Sequence, residues 1–514
     1  VRKRLLSETH LEIMQIYVLG IDVGTGGTRA LIMGADGHVF ASATEEHEPF
    51  ATPQLGWAEQ RPEDWWRAAG IAIRKALAKG QLRGDQISSV GFSGQMHGAV
   101  MLDASGDVVR PALIWCDVRT EKQCRELTER IGAEQLIRLT CNPALANFTV
   151  TKLLWTREIE PENWKRVRSV LLPKDYVRFR LTGEKATDVA DASGTLMLNV
   201  AQRQWSAEIL EAAEIDRSWL PTLYESTEVC GKVSVKGAEA TGLSVGTPVV
   251  AGAGDQAAGA VGMGVVTPGA VSATIGTSGV VFAATDSPAL DPQGRLHTFC
   301  HAVPGRWHVM GVTQAAGLSL RWFRDQFACT PAGDGRDPYE QLTAEAATVA
   351  PGADGLLWAP YLMGERTPHL DPAARGVLAG LTASHTRAHV IRAILEGVAF
   401  SLKDTFTIFT EMQVPVRSIR LGGGGARSRL WRQIQADVYD QEVEIVEAEE
   451  GAAFGAAVLA GVAAKMWASV DAACDSVVCV VERVTPIPAN VAVMSAAGIA
   501  YRRIYPAMKS ILTS

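Results

Sequence analysis

Two glycine–threonine turns constrain what this chain can fold into more than any other feature. The first, DVGTGGT at 22–28, lies between the apolar run IYVLGI at 16–21 and RALIMG at 29–34. The second, GTSG at 276–279, divides AVSATIGTSGVVFAA at 270–284 in the same way. Short apolar runs bounded by glycine read as buried strands, so each segment predicts a strand hairpin. Glycine lets main-chain amides approach an anion closely, and threonine adds a hydroxyl donor. A single such turn is explained as well by a hairpin that needs positive φ. Two turns with like flanks predict an internal repeat, with two lobes of similar architecture around one nucleotide. The first turn neither has the GxxxxGK[ST] spacing nor opens a helix as GxGxxG does, which disfavours those two nucleotide folds.

The rest of the chain alternates strand and helix, as a mixed α/β architecture requires. ADG at 35–37 turns the chain into a third antiparallel strand, HVFASAT, and Pro62 with acidic neighbours starts a helix from 61 to 78. ISSVGFSG at 87–94 reads as a strand, 118–130, 151–159 and 173–181 as helices, and PVVAGAG at 248–254 as a strand leading into a helix. Further on, 386–412 is an amphipathic helix, 417–440 a strand, glycine turn and helix, and 451–464 a small-residue helix for close packing. The tail from 488 to 508 is weakly helical. A length of 514 residues exceeds what one core holds. The expected division is an N-terminal extension at 1–13, a lobe at 14–252 and a lobe at 253–514, with Met14 as a candidate start.

Composition removes several classes of function. A net charge of −7 gives no pull towards phosphate backbones or anionic membranes. No apolar run approaches the roughly 20 residues that span a bilayer. The eight cysteines form neither a CxxC pair nor a zinc-knuckle spacing, and read as reduced thiols of a cytoplasmic protein.

Asp255 follows GAG at the end of a buried strand, where ligands gather in α/β folds, although capping the next helix is the commoner fate of such an aspartate. Sugar phosphorylation needs a carboxylate to take the hydroxyl proton, and Asp255 is placed for that. Gln95-Met96-His97-Gly98 ends another buried strand and suits hydroxyl recognition, with Trp57, Glu59 and Gln60 as a wall. Asp22 can orient magnesium through its water shell, and Gly24, Thr25 and Thr28 can face a polyphosphate. GGGGARS at 422–428 offers bare backbone to a base and ribose. Arg366, His369 and Arg375 are either a solvated loop or an organiser of the cleft.

Together these residues resemble the FGGY carbohydrate kinases over about 16–463. The family's C-terminal signature is similar to Gly376–Leu381, a seven-residue spacer, His389-Val390 and Ala393–Glu396. The earlier signature is similar to FTVTKLLW at 148–155, departing at Asn147 and Thr151. Within the family, QMHG at 95–98, LPKDYVRFRLTGE at 172–184 and WAPYLMGERTPH at 358–369 resemble the branch that phosphorylates D-xylulose. The resemblance implies two actin-like (ribonuclease H-like) lobes closing on ATP, Mg2+ and a small sugar. It implies Asp255 as general base, with Met96, His97, Asp255 and Gln256 lining the sugar. It also implies Asp22 for magnesium, Gly276 and Thr277 at the phosphates, and Gly317, Gly424 and Ser428 around the rest of ATP. Gln256 stands where the branch often has asparagine. A homodimer is one candidate assembly, the sequence leaving the oligomeric state open, and no nucleic acid or membrane partner is expected. Another ketose, a polyol or gluconate, or a non-catalytic actin-like nucleotide switch, are the alternatives.

Overall fold

The protein is described from a computed structural model covering residues 16–327, 337–447 and 451–512; the expected extension at 1–13 and Met14 lie outside the described residues. The first sheet contains β1 (Tyr17–Val23), β2 (Gly27–Gly34), β3 (Val39–Glu46), β4 (Ile87–Gly94), β5 (Val229–Lys232), β6 (Pro248–Val250) and β7 (Ala253–Gly254). Its order is β5-β6-β4-β1-β2-β3, with β7 pairing beside β4. The second sheet contains β8 (Ala270–Ile275), β9 (Gly279–Thr285), β10 (His297–Cys300), β11 (Trp307–Thr313), β12 (Ser418–Gly423), β13 (Val443–Val446) and β14 (Val480–Val484). Its order is β10-β11-β9-β8-β12-β13-β14.

The two sheets repeat one another. In the first, β1 pairs antiparallel with β2 and β2 with β3, while β1 pairs parallel with β4 and β4 with β6. In the second, β8 pairs antiparallel with β9 and β9 with β11, while β8 pairs parallel with β12 and β12 with β13. An antiparallel edge strand closes each series, β5 on β6 and β14 on β13. The repeat read from the two glycine–threonine turns is therefore a repeat of whole sheets, flanked by helices as two actin-like lobes.

The helices that matter for the site are α1 (Pro62–Gly80), α2 (Thr149–Ile159), α3 (Pro173–Thr182), α4 (Asp255–Gly262), α5 (Ala316–Phe327), α6 (Arg387–Glu411), α7 (Arg429–Tyr439) and α8 (Gly451–Ala463). α1 begins as its sequence requires, with Pro62 in the first turn followed by Glu63 and Asp64, whose charge favours the positive end of the helix dipole. The strand expected over 248–254 is broken, because Gly252 adopts φ 78° to pass within reach of the Phe92 carbonyl. The tail is more helical than its sequence suggests, with helices at Pro488–Tyr501 and Ile504–Leu512. No described helix is long and apolar enough to cross a membrane.

α8 lies late in the sequence but packs on the first sheet. A Cβ at Gly20 of β1 would stand 2.0 Å from the Ala453 carbonyl oxygen, and one at Gly91 of β4 would stand 1.9 Å from that of Ala456. On its other side, a Cβ at Gly455 would stand 1.8 Å from the Ala258 carbonyl in α4. Backbone thus meets backbone at three places where only glycine fits. Gly91→Ala is expected to lower unfolding free energy by about 2 kcal/mol, the usual cost of overpacking, measured by urea denaturation. Wild-type stability in that variant would show that the helix does not rest on the sheet this closely.

Candidate active site

The topology brings four loops to corresponding places. In the first lobe, Val23 at the end of β1 is level with Gly94 at the end of β4, so the turn 24–27 and Gln95–Gly98 emerge side by side. In the second lobe, Ile275 is level with Gly423, so 276–278 and 424–428 emerge side by side. Carboxyl ends of parallel strands are where such sheets bind ligands.

The first turn and the QMHG segment are joined by side chains. Gln95 donates its amide N–H to the Val23 carbonyl at 2.9 Å, and its Nε2 donates to Gln60 Oε1 at 2.9 Å. Gln60 Nε2 donates to the Thr25 carbonyl at 2.7 Å, and Trp115 Nε1 donates to the Thr25 hydroxyl at 2.9 Å. Gln60 therefore braces the phosphate-sized turn, and Trp115 is a contact that the sequence did not single out. Gly24 turns back through its amide to the Gly27 carbonyl at 3.0 Å. Thr28 is fully buried with its hydroxyl on His47 Nε2 at 2.8 Å, so its side chain is spent inside the lobe. Trp57 is half-buried beneath the Arg119 guanidinium, 3.6 Å from the ring centre, and Arg119 is held by Asp117 and Glu59.

His97 stands at φ 68° and is buried with Met96. Its Nδ1 lies 2.7 Å from the Gly194 carbonyl, which can only accept, so Nδ1 carries the proton and Nε2 keeps its lone pair. Burial holds its pKa well below the usual imidazole range, and the ring is neutral. The rings of His97 and Phe148 meet near-perpendicular with centres 5.1 Å apart, and the His97 ring lies 6.1 Å from Phe299 of β10, a contact between the lobes.

Two carboxylates lie beside these loops. Asp22 in β1 accepts from the Ser93 hydroxyl at 3.0 Å, and burial raises its pKa. Asp255 opens α4, directly after β7, whose Gly254 is level with Gly94. A Cβ at Gly254 would come within 2.7 Å of Met96 Cγ, so the chain bearing Asp255 passes directly against the QMHG segment. Burial first, and the charge of Asp22 second, push the Asp255 carboxyl up to about 7. Gln256 Nε2 lies 3.4 Å from Asp255 Oδ1.

In the second lobe, Gly276 and Thr277 are exposed. Gly317 in the first turn of α5 donates its amide to the Gly276 carbonyl at 2.9 Å, and Leu318 donates to that of Thr277 at 3.1 Å. A Cβ at Gly317 would stand 2.3 Å from the Gly276 oxygen, so only glycine lets the helix start this close to the loop. Gly424 is exposed on the neighbouring loop, and Ser428 caps α7 by accepting from the Trp431 amide at 3.3 Å.

The basic segment divides in the folded protein. His369 stacks on Tyr505 at 3.5 Å, and Arg375 donates to the carbonyls of Pro372 and Ala374, so both are structural. Burial holds the His297 pKa at about 3, and the charge of Arg366 adds to the burial that lowers both His297 and His97. A buried carboxylate cluster that the sequence did not show, Asp175, Asp188 and Asp191, surrounds the Lys174 ammonium at 2.6, 2.6 and 3.3 Å. Lysine fills the place a metal would take.

The fold and the sequence also resemble those of known proteins. The model of the FGGY family of carbohydrate kinases, N-terminal domain, matches residues 17–262, and that of the C-terminal domain matches 271–464. The chain is 40% identical to a xylulose kinase of Lactococcus lactis over 498 residues, 96% of each chain. It is 41% identical to a xylulose kinase of Escherichia coli over 447 residues, 87% of this chain and 90% of that one. The crystal structure of xylulose kinase from Rhodospirillum rubrum superposes with a TM-score of 0.89 at 30% identity, covering 97% of this chain and 100% of that one. With matching models over both lobes and relatives of this identity along nearly its whole length, the chain belongs to the FGGY family of carbohydrate kinases.

Proposed function

We propose that the chain transfers the γ-phosphoryl group of ATP to the terminal C5 hydroxyl of D-xylulose, giving D-xylulose 5-phosphate, with Asp255 as general base. The observation that carries this reading is the seam between β7 and α4, which runs the chain bearing Asp255 against Met96 and leaves its carboxyl, raised by burial, within reach of the charge of Asp22. Phosphoryl transfer asks the protein mainly to position and neutralise. In the ionised state Asp255 accepts the hydroxyl proton as the sugar oxygen attacks in line. His97 Nε2, with a lone pair and no proton, accepts a hydrogen bond from a sugar hydroxyl, while Gln256 offers an amide. Asp255 thus serves both as base and as sugar contact.

The duplicated loops divide the work. Gln95–Gly98 ends the parallel neighbour of the first turn and takes the sugar, with Trp57 as a more distant wall. Gly424–Ser428 ends the parallel neighbour of the second turn and takes base and ribose, with Gly317. Gly24, Thr25, Gly276 and Thr277 face the phosphates between them. Thr28 contributes through the fold of its turn. Asp22 and Asp255 are oxygen donors whose mutual repulsion a cation relieves, a donor set that fits Mg2+, with Asp22 holding it through water. Bound magnesium supplies neutralisation of the phosphate charge. The cytoplasmic location belongs to the same reading and rests on the scattered cysteines, which form no CxxC pair.

Asp255→Asn is expected to lose at least about 10²-fold in kcat, within the usual worth of a general base, with sugar still saturating. Near-full turnover in that variant sinks the assignment. In the wild type, kcat/KM should fall on the acid side with a limb at or below about 7, since protonation removes the base and a bound cation lowers the pKa. A panel of sugars assayed for ADP release tests the acceptor, and preference for a polyol or gluconate over D-xylulose overturns that part. Sugar-independent ATP turnover at full rate favours the nucleotide switch instead.

The same carboxyl affects stability. Its folded pKa of about 7 exceeds the ordinary aspartate value of 3.8, so the folded state binds more protons between these limits and loses stability as pH rises through them. Asp255→Asn removes that cost. The variant should therefore be more stable than wild type at pH 8, by about 2 kcal/mol once partial solvation is allowed for, with the gain vanishing near pH 4. Denaturant titrations at the two pH values read this directly, and an equal difference at both would contradict it.

A further inference from the structure

We propose that Lys152 and Thr149 of α2 form a clamp on the backbone of His97, holding its imidazole where it receives the sugar. Lys152 is then a positioning residue. The inference deepens the function proposed above and rests on its reading of His97 as a sugar contact.

His97 sits at φ 68°, a left-handed conformation that is uncommon for residues other than glycine and that its surroundings here hold in place. Three contacts do so. The His97 carbonyl accepts from Lys152 Nζ at 2.7 Å and from the Thr149 hydroxyl at 3.1 Å. Its ring is tied separately, through Nδ1, to the Gly194 carbonyl. Lys152 donates a second time, to the Asn147 carbonyl at 2.7 Å. Asn147 precedes Phe148, whose ring packs near-perpendicular to that of His97, so one amino group fixes both the backbone of the histidine and the wall beside it.

A core role alone does not call for lysine here. The side chain is completely buried and, among the described residues, has no carboxylate within ion-pair distance, a costly position for a charge. Asp117 is its strongest favourable charge and is itself taken by Arg119, while Cys116 and Cys124 complete the titratable surroundings. Methionine would fill the same volume without that cost. Methionine cannot bridge the carbonyls of residues 97 and 147. Two acceptors need only two N–H groups, so the clamp stays closed in the neutral amine, and burial brings the lysine down to about 7.

The test is steady-state kinetics on Lys152→Met in the full-length enzyme, with D-xylulose and ATP varied separately. The sugar KM should rise about tenfold or more, the scale of one well-placed buried hydrogen bond, while the ATP KM stays within about twofold. In a His97→Ala background, Lys152→Met should add less than about twofold, since there is no imidazole left to position. An unchanged sugar KM in the folded variant overturns the proposal, as does an equal further loss in the His97→Ala background. If Lys152→Met does not fold, Thr149→Val removes the second donor at nearly constant shape. It should raise the sugar KM about threefold, again only when His97 is present, and no change there overturns the clamp. A wild-type enzyme that phosphorylates no sugar overturns the function itself and the clamp with it, a result the control reveals before any variant is read.

Discussion

The contact on which the site depends is the bare backbone of α8 lying on Gly20 and Gly91. A side chain at either glycine would lift the helix from β1 and β4, the two strands that end in the glycine–threonine turn and the QMHG segment. α8 in turn receives α4 at Gly455, and α4 begins with Asp255. Positions 20, 91, 255 and 455 are therefore one mechanical unit. Small residues serve here because dispersion and burial grow with close approach, and helix axes approach closely only where nothing projects between them.

Around that unit the same sheet occurs twice, and the copies differ in the residues just past the second parallel strand. After β4 come a glutamine, a methionine and a histidine, whose buried polar atoms suit hydroxyl groups. After β12 comes a run of glycine, whose surface is backbone amide. Equivalent positions in one topology thus carry unlike chemistry, and ligands of unlike kind can meet between them. The carboxylates Asp22 and Asp255 lie on the first-sheet side of this division, and burial first, then the charge of Asp22, lifts Asp255 to about 7, where a base is useful.

Much of this was legible in the chain. Apolar runs bounded by glycine marked β1, β2, β8 and β9, because buried strands need continuous apolar residues and tight turns need glycine. Pro62 and its acidic neighbours marked the start of α1 for reasons of helix geometry alone. The break at Gly252 was not visible, since its cause is the carbonyl of Phe92, far earlier in the chain. Neither was the inward turn of Thr28, which depends on His47 across a sheet, nor the ammonium of Lys174 among three aspartates. Lys152 left a faint trace as a single charge inside FTVTKLLW, but its meaning needed the carbonyls of residues 97 and 147.

By itself the sequence determined the elements, the doubled architecture, the membership of the family and the identity of the strand-end aspartate. These rest on local rules, since periodicity, turn chemistry and motif spacing act over a few residues. Only the tertiary structure decided that α8 belongs against the first sheet, that His97 presents Nε2 and not Nδ1, and that Asp255 titrates near 7. Each of those depends on groups far apart in the chain, through a backbone contact, a carbonyl acceptor, or burial with a neighbouring charge, and such surroundings exist only once the chain has folded.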